Sequence, residues 1–538
     1  MPSHCKILRR IMNWASLNPF GVNGIRNRIP AVSPSVCEFL RWLKCRLLLP
    51  RIWAIVAAAG LIQCSVGQAA PADYPRISQG TKTRGEAALR RLGNQLPEVA
   101  NYHGKSASEM RAIFRRDPRL WVAKDGELDY VCAIDPLPAH HELEEAEMAH
   151  VEEAIPLEDT FFLHSRPQAT RVIYLDFDGH VTTGMHWNSS YNNGEDIVTP
   201  PYSTDGNVSS FSTTELQNIQ HMWQRVAEDF APFDVDVTTQ DPGVEGLRRT
   251  STTDVYYGIR VCIGGSSTEW YGSAGGVAGL SSFRSGLDSP CFVFPAQLGN
   301  GNKKYVADAI SHEVGHTLGL HHDGVTGGTS YYGGHGDWAP IMGAGYYTDL
   351  GQWSKGEYPS ANNTEDDLAI IGTFISYRID DHGNVVSQAT SLVGANILAH
   401  GVIETTTDVD VFSFQTGAGT VAITADGAPP SPNLDIMLRL YDGNNNVVAS
   451  SDPPSLEASL TLALNAGTYY LSVTGVGAGN LTTGYSDYGS LGEYDLTIAA
   501  HPFSRPSAPT GLAIRDAAAP LAINGLQIFA PNGKPRLR

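Results

Sequence analysis

Charged residues are scarce in this chain of 538 amino acids, where Asp, Glu, Lys and Arg make up 17% and hydrophobic residues 42%. Positive charge is the scarcer sign, and nine of the Lys and Arg residues fall within the first 51 positions, beside the single acid Glu38. The remainder is strongly acidic, and the whole chain has a net charge of -19. This balance argues against nucleic acid as a partner and is typical of an exported protein that stays soluble through its charge.

Long apolar runs are also missing. The basic stretch at residues 41–51 precedes an apolar run at 52–62 and small residues up to Ala70, which is the three-part pattern of a secretory signal peptide. That run is too short for a comfortable membrane span, and no later stretch approaches the roughly 20 apolar residues that a span needs. We therefore expect a leader with its signal peptide at 1–69, a secreted, extracellular product from residue 70 onward, and no stable membrane insertion.

Cysteine is rare as well, and four of the seven cysteines lie in the leader. The exported part keeps Cys132, Cys262 and Cys291. The simplest arrangement joins Cys262 to Cys291, because both lie in strand-like segments of one domain and an oxidising compartment favours the bond. This disulfide would leave Cys132 as the unpaired thiol.

Composition and periodicity divide the exported chain into four parts. Residues 70–165 combine basic helical material with an acidic tract and are typical of a pro-segment, and residues 166–379 run strand, helix, strands, helix. In that second part Ser212 and Glu215 predict the capped start of a helix. A second helix is expected at 304–320, and a closing helix is expected to be capped by Asn363 or Thr364. Short alternating strands at 385–500 indicate an antiparallel β-sandwich, and 501–538 form a tail rich in Pro and Ala.

The chemistry concentrates at residues 311–323, which read SHEVGHTLGLHHD and contain His-Glu-x-x-His-x-x-Gly-x-x-His without a gap. On a helix, His312 and His316 project from one face and both reach one tetrahedral zinc ion. Glu313 then lies beside the metal, where it can take a proton from the attacking water and pass it to the leaving amine. Gly319 allows the sharp turn that brings His322 in as third ligand, and the fourth position stays open, as a catalytic site requires.

This motif resembles that of the metzincin zinc metallopeptidases, and Asp323 after the third histidine is similar to their reprolysin-like branch. The resemblance covers residues 166–379. It implies an α+β fold in which a twisted mixed sheet carries a zinc-binding active-site helix and a Met-turn, with Met342 as an apolar floor under the ligands. Some branches place an extra tyrosine ligand two residues after that Met, but this chain has Ala344 there, so we expect no tyrosine ligand from Tyr346 or Tyr347.

The same resemblance identifies Gly276, Val277, Ala278 and Gly279 as the edge strand on which substrate backbone is bound by strand addition. Cys132 is a candidate latency switch, since its thiolate can fill the open zinc position until the pro-segment is cut. Its surroundings differ from the switch sequence of the matrix metalloproteinases, and the alternative is a buried small residue in the pro-segment.

The predicted sandwich resembles the bacterial pre-peptidase C-terminal domain through residues 408–414 and 467–471. Asp408, Asp410 and Asp442 are candidate calcium ligands, although isolated loop acids are more often turn residues. Together these features predict a bacterial, secreted, zinc-dependent endopeptidase that is made as a zymogen and acts on protein or peptide substrates through metal-activated water and a glutamate general base. The alternative is a non-catalytic extracellular binding or adhesion protein that contains zinc.

Overall fold

The computed structural model describes residues 74–132 and 155–502. The predicted leader and signal peptide, the acidic tract of the pro-segment and nearly all of the predicted tail lie outside these residues. Chain contacts separate residues 1–69 from residues 70–538, so all described residues belong to the second unit. No helix among the described residues is long and apolar enough to cross a membrane.

Residues 74–132, in the predicted pro-segment, form a small helical layer followed by a hairpin. A capping box explains where its longest helix begins, because the Ser106 side chain accepts from Glu109 N and the Glu109 carboxylate accepts from Ser106 N. Its buried face carries Met110, Ile113 and Phe114. The elements are β1 (Thr83–Arg84), α1 (Gly85–Leu92), α2 (Leu96–Tyr102), α3 (Ala107–Arg116), β2 (Leu120–Val122) and β3 (Leu128–Cys132).

The middle of the chain supplies the other strands of one eight-stranded mixed sheet, in the order β1-β2-β3-β9-β10-β8-β4-β7. The sheet therefore continues from the pro-segment into the next domain. Strands β10, β8, β4 and β7 run parallel to one another, whereas β9 runs antiparallel to β10 and β3 runs antiparallel to β9. The elements are β4 (Arg171–Asp176), β5 (His180–Thr182), α4 (His186–Tyr191), β6 (Ile197–Thr199), α5 (Thr213–Asp229), β7 (Asp236–Thr238), α6 (Val244–Leu247), β8 (Tyr257–Ile263), β9 (Gly276–Gly279), β10 (Cys291–Val293), α7 (Lys303–Thr317), β11 (Trp338–Pro340), β12 (Leu350–Gln352) and α8 (Asp367–Phe374).

Two helix starts were predicted from capping residues, with different outcomes. The capping box of Ser212 and Glu215 is present at the start of α5, which confirms that prediction. The closing helix α8 begins at Asp367 and is capped by Asp366, so the caps predicted at Asn363 or Thr364 are wrong. The Asn363 side chain instead accepts from Arg116 and donates to the carbonyl of His321, which ties it to the loop after the metal-binding helix.

The predicted Cys262–Cys291 disulfide is wrong, since both thiols are free. The cysteines lie on the adjacent parallel strands β8 and β10, where Cys262 pairs with Phe292 and Cys291 with Val261. This offset of one residue sends the two side chains to opposite faces of the sheet. Cys262 is buried against Phe292 on one face, and Cys291 belongs to the main core on the other.

The C-terminal part is a sandwich of a five-stranded sheet, β13-β15-β20-β17-β18, and a four-stranded sheet, β14-β21-β16-β19. Its pairs are antiparallel except β13 with β15. Its core is continuous with that of the preceding domain. The strands are β13 (Thr390–Ser391), β14 (Asn396–Ile403), β15 (Asp410–Thr416), β16 (Gly419–Gly427), β17 (Ile436–Tyr441), β18 (Val447–Ser451), β19 (Ala458–Leu464), β20 (Gly467–Gly475) and β21 (Gly492–Ala499).

Candidate metal centre

The three predicted histidine ligands meet at one buried point. His312 and His316 lie one turn apart on α7, and the chain turns back at Gly319, whose φ of 91° is the left-handed conformation that favours glycine. This turn brings His322 to the same point, with its Nε2 3.0 Å from that of His316. The structure therefore brings together residues that the spacing alone assigned to one metal.

Each imidazole is oriented through its second nitrogen. His312 Nδ1 is 2.9 Å from the carbonyl of Ile341, and His316 Nδ1 is 2.9 Å from the carbonyl of Leu320. His322 Nδ1 is 2.8 Å from Asp117 Oδ2, a carboxylate of the pro-segment. These acceptors place the proton on Nδ1, which leaves the three Nε2 lone pairs free to bind a cation.

Cys132, at the end of β3, caps the three imidazoles. Its Sγ lies 3.5 Å from His312 Nε2 and 3.4 Å from the Nε2 atoms of both His316 and His322. Tetrahedral zinc, with bonds of about 2.0–2.1 Å to nitrogen and about 2.3 Å to sulfur, would place the sulfur about 3.5 Å from each nitrogen and the nitrogens about 3.3–3.4 Å from one another. The donor set and the sulfur–nitrogen distances therefore fit zinc, with the Cys132 sulfur where a fourth ligand would lie, and the 3.0 Å between His316 Nε2 and His322 Nε2 is slightly shorter than in such a site.

Glu313 is buried beside this centre, and its Oε2 has no hydrogen-bond partner. Burial raises the pKa of Glu313 to about 8, against a smaller opposing effect of the Cys132 thiol. The carboxylate packs directly on β9, because a Cβ added to Gly276 would overlap with Glu313 Oε1. Glycine at position 276 is thus what allows the acid to sit between the strand and the histidines.

Met342 is fully buried under the helix, as a Met-turn residue would be. A Cβ added to Gly315 would come within 2.5 Å of the Met342 sulfur, so this glycine lets the Met342 side chain pack directly against helix α7. Tyr346 and Tyr347 contact the ring of Tyr305.

The predicted substrate strand, β9, is covered in this structure. Strand β3 pairs with it antiparallel along its whole length, with Asp129 opposite Gly279 and Cys132 opposite Gly276. Strand β3 of the predicted pro-segment therefore covers the edge of β9 and places the Cys132 sulfur on the three imidazoles at the same time.

Sequence reasoning missed three residues around the centre. Asp117 binds His322, the ring of Tyr130 stacks on His316 with centroids 4.0 Å apart, and Tyr331 lies against His322 at 4.5 Å. The first two belong to the pro-segment, and Tyr331 comes from the glycine-rich loop after the third histidine. No spacing rule connects these segments with the zinc motif, so only the fold could bring them there.

A second group of acids lies where the sandwich begins. Asp380, Asp408 and Asp410 place carboxylate oxygens close enough to share a cation. Glu404 lies beside them, 3% exposed, and both its oxygens lack hydrogen-bond partners, as does Asp410 Oδ1. The third predicted calcium ligand, Asp442, is not in this group, because its carboxylate accepts from Asn444 and Asn446 within its own turn.

Comparison with known proteins identifies one part of the chain. Residues 408–475 match the family model described as the bacterial pre-peptidase C-terminal domain, which confirms the predicted resemblance over that segment. No curated protein matches the sequence.

Several solved structures resemble the sandwich. One is the pre-peptidase C-terminal domain of collagenase from Bacillus anthracis, with 18% identity over 22% of this chain and 99% of that chain and a TM-score of 0.17. Another is PliG, a periplasmic inhibitor of g-type lysozyme, from Aeromonas hydrophila, with 12% identity over 21% of this chain and 96% of that chain and a TM-score of 0.15.

Proposed function

We propose that this protein is a secreted, zinc-dependent endopeptidase, made as a zymogen. The observation that carries the proposal is the meeting of three Nε2 atoms, from His312, His316 and His322, beside the buried carboxylate of Glu313. A zinc site kept only for structure has no need of a buried carboxylate with an unpartnered oxygen next to the metal.

The three histidines, Glu313 and strand β9 have separate roles in the proposed reaction. The three histidines hold the ion, which when bound supplies Lewis acidity toward the scissile carbonyl and lowers the pKa of a water molecule. Glu313 accepts the proton of the attacking water and delivers it to the leaving amine. Once β3 has left, β9 presents its backbone groups to an extended peptide and holds it across the histidines.

Latency follows from the position of Cys132. As long as β3 stays paired with β9, the Cys132 sulfur would fill the zinc position that the attacking water needs. The backbone of β3 would at the same time cover the edge of β9 on which a substrate strand would bind. Cleavage of the chain within residues 133–154 would allow the Cys132 sulfur and the β3 backbone to leave together. Cys132 is thus the residue we assign to the latency switch.

Export and a bacterial origin are supported by the segment that matches the bacterial pre-peptidase C-terminal domain and by the predicted signal peptide. The acid group of Asp380, Glu404, Asp408 and Asp410 is the place we assign to a calcium ion, because Glu404, Asp408 and Asp410 bring buried oxygens without partners together beside the Asp380 carboxylate, and carboxylate oxygens are the ligand type that calcium prefers.

The test is cleavage of casein and of a peptide library by the full chain, cut within residues 133–154. We expect cleavage that a zinc chelator abolishes, that added zinc restores, and that Glu313→Ala lowers by several orders of magnitude while zinc stays bound. Cleavage that survives both treatments would defeat the proposal. Zinc binding without any cleavage would favour the binding or adhesion protein instead.

A further inference from the structure

The pro-segment gives a view of a peptide strand held in the cleft. Residues 128–132 form β3, which lies antiparallel on β9 in a register without bulges and ends with Cys132 on the three histidines. A bound substrate strand would be held by the same backbone groups of β9. The side chains of β3 therefore show which pockets of the cleft are available and what chemistry each one accepts.

Alternate side chains of β3 point to opposite sides. Cys132 and Tyr130 face the histidine cluster, where Tyr130 stacks on His316. Val131 and Asp129 face the other side, where Val131 packs in an apolar cluster that includes Trp187 and Phe292. Asp129 is fully buried there, which demands partners for its carboxylate.

Those partners come from α4, outside the pro-segment. Tyr191 donates its hydroxyl to Asp129 Oδ2 at 2.6 Å, and His186 Nε2 lies 3.1 Å from Asp129 Oδ1. The other ring nitrogen of His186 lies 3.4 Å from Glu127, a second acid two positions earlier on the pro-segment, and 3.5 Å from the hydroxyl of Ser289. The charges of Asp129 and Glu127 outweigh burial and raise the pKa of His186 to about 9.

We propose that His186 and Tyr191 form a substrate pocket for an acidic side chain, Asp or Glu, placed three residues before the residue that takes the position of Cys132. This inference rests on the proposed peptidase function and adds a preference to it. When the pro-segment leaves, the His186 ring and the Tyr191 hydroxyl lose the Asp129 carboxylate that accepts from them. A substrate with a carboxylate at that position accepts from both groups again. A substrate with an apolar side chain there leaves buried donors unpaired, which costs roughly tenfold to a hundredfold in binding.

The experiment compares matched peptides that differ only at this position, carrying Asp, Asn or Ala, and that keep the Tyr-Val pair following Asp129. Their kcat/KM values are measured with the full chain cut within residues 133–154 and freed of its pro-segment. Their dissociation constants are measured by fluorescence anisotropy on the same protein with Glu313→Ala, so that binding is read without turnover. We expect the Asp peptide to be preferred by roughly tenfold or more in both measurements.

Two variants assign the preference to the pocket. In each of His186→Gln and Tyr191→Phe, the ratio of the Asp-peptide constant to the Ala-peptide constant should fall to near one. His400→Gln, an exposed histidine of the sandwich, should preserve the preference. Equal constants for the Asp and Ala peptides, or a preference that survives both pocket variants, would overturn the inference. If no peptide is cut but the Asp peptide still binds more tightly, the pocket stands and the peptidase function fails.

Discussion

The Asn433 side chain of the sandwich donates to Asp229 Oδ1 at 2.8 Å, and the other oxygen of the same carboxylate accepts from the hydroxyl of Ser311, next to the proposed zinc ligand His312. The carbonyl of Asn433 accepts from the Gln352 side chain at 2.6 Å. Gln352 in turn accepts from the backbone of Ile341, whose carbonyl orients His312. One sandwich residue therefore supports both helix α7, which carries His312 and His316, and the segment around Ile341 and Met342.

We predict that Asn433→Ala loosens the metal centre although it touches no ligand. The change leaves Asp229 with one donor fewer in a buried site, so the free energy of unfolding should fall by about 1–3 kcal/mol. Zinc should also pass faster to a chelator, and kcat should fall more than KM changes. Asn444→Ala, in an exposed turn of the same domain, is the matched control. Unchanged zinc release in Asn433→Ala would mean that the sandwich gives the centre no support.

A second prediction concerns Gly276, where any Cβ would overlap with the Glu313 carboxylate. Gly276→Ala should displace that carboxylate, and a shift of about 1 Å in a catalytic group costs on the order of 100-fold in rate. The zinc content should stay the same, because the histidines are not touched. Gly279→Ala on the same strand is the control, since its Cβ would come no closer than 3.3 Å to Ser282. Equal kcat/KM values for the two variants would contradict the assigned position of Glu313.

The histidine spacing predicted where its ligands would lie because one helix and one glycine turn fix their geometry locally. The capping box of α5 was predictable for the same reason. Contacts between distant segments could not be predicted in this way. No sequence pattern indicates that β3 pairs with β9 or that Asp117 reaches His322. The disulfide prediction was wrong because the face on which a strand residue lies depends on register, and a shift of one residue moves Cys291 away from Cys262.

Removing the thiol of Cys132 should weaken latency. In the uncut chain, Cys132→Ala opens the fourth zinc position while β3 still covers β9, so we expect weak cleavage of small peptides where the parent chain shows none. Cleavage should rise further once the chain is cut within residues 133–154, because the strand edge then becomes free as well. Cys262→Ala, a buried thiol away from the histidines, should leave the chain latent. A fully silent uncut Cys132→Ala chain would assign latency to the strand alone.

Asp117 should raise the zinc affinity of the zymogen, because its carboxylate orients His322 and makes the ring a better ligand. Loss of such a partner usually costs about 10–100-fold in metal affinity, and we expect Asp117→Ala in the uncut chain to fall in that range. The measurement is competition with a chromogenic zinc chelator, which needs no turnover. Asp159→Ala, an exposed acid of the same segment, should bind zinc as the parent does. Equal affinities would show that the other two histidines and Cys132 hold the ion without this contact.

The acid group of the sandwich should make stability depend on pH and on calcium. Burial, followed by the neighbouring Asp408 carboxylate, raises the pKa of Glu404 to about 9, and burial raises that of Asp410 to about 8. In the unfolded chain these groups lose their protons near pH 4, so between about pH 4 and 9 the folded protein binds more protons than the unfolded one. Without calcium, the free energy of unfolding must therefore fall as the pH rises through this window.

Calcium should cancel that loss, because a divalent cation takes the place of the protons among the same oxygens. We expect calcium, but not magnesium, to raise the melting temperature more at pH 8 than at pH 5, with zinc held at a constant saturating level. Asp410→Asn should remove the calcium effect and flatten the pH dependence, whereas Asp442→Asn should change neither, because Asp442 lies apart from the group. A calcium effect that persists in Asp410→Asn would place the ion elsewhere in the chain.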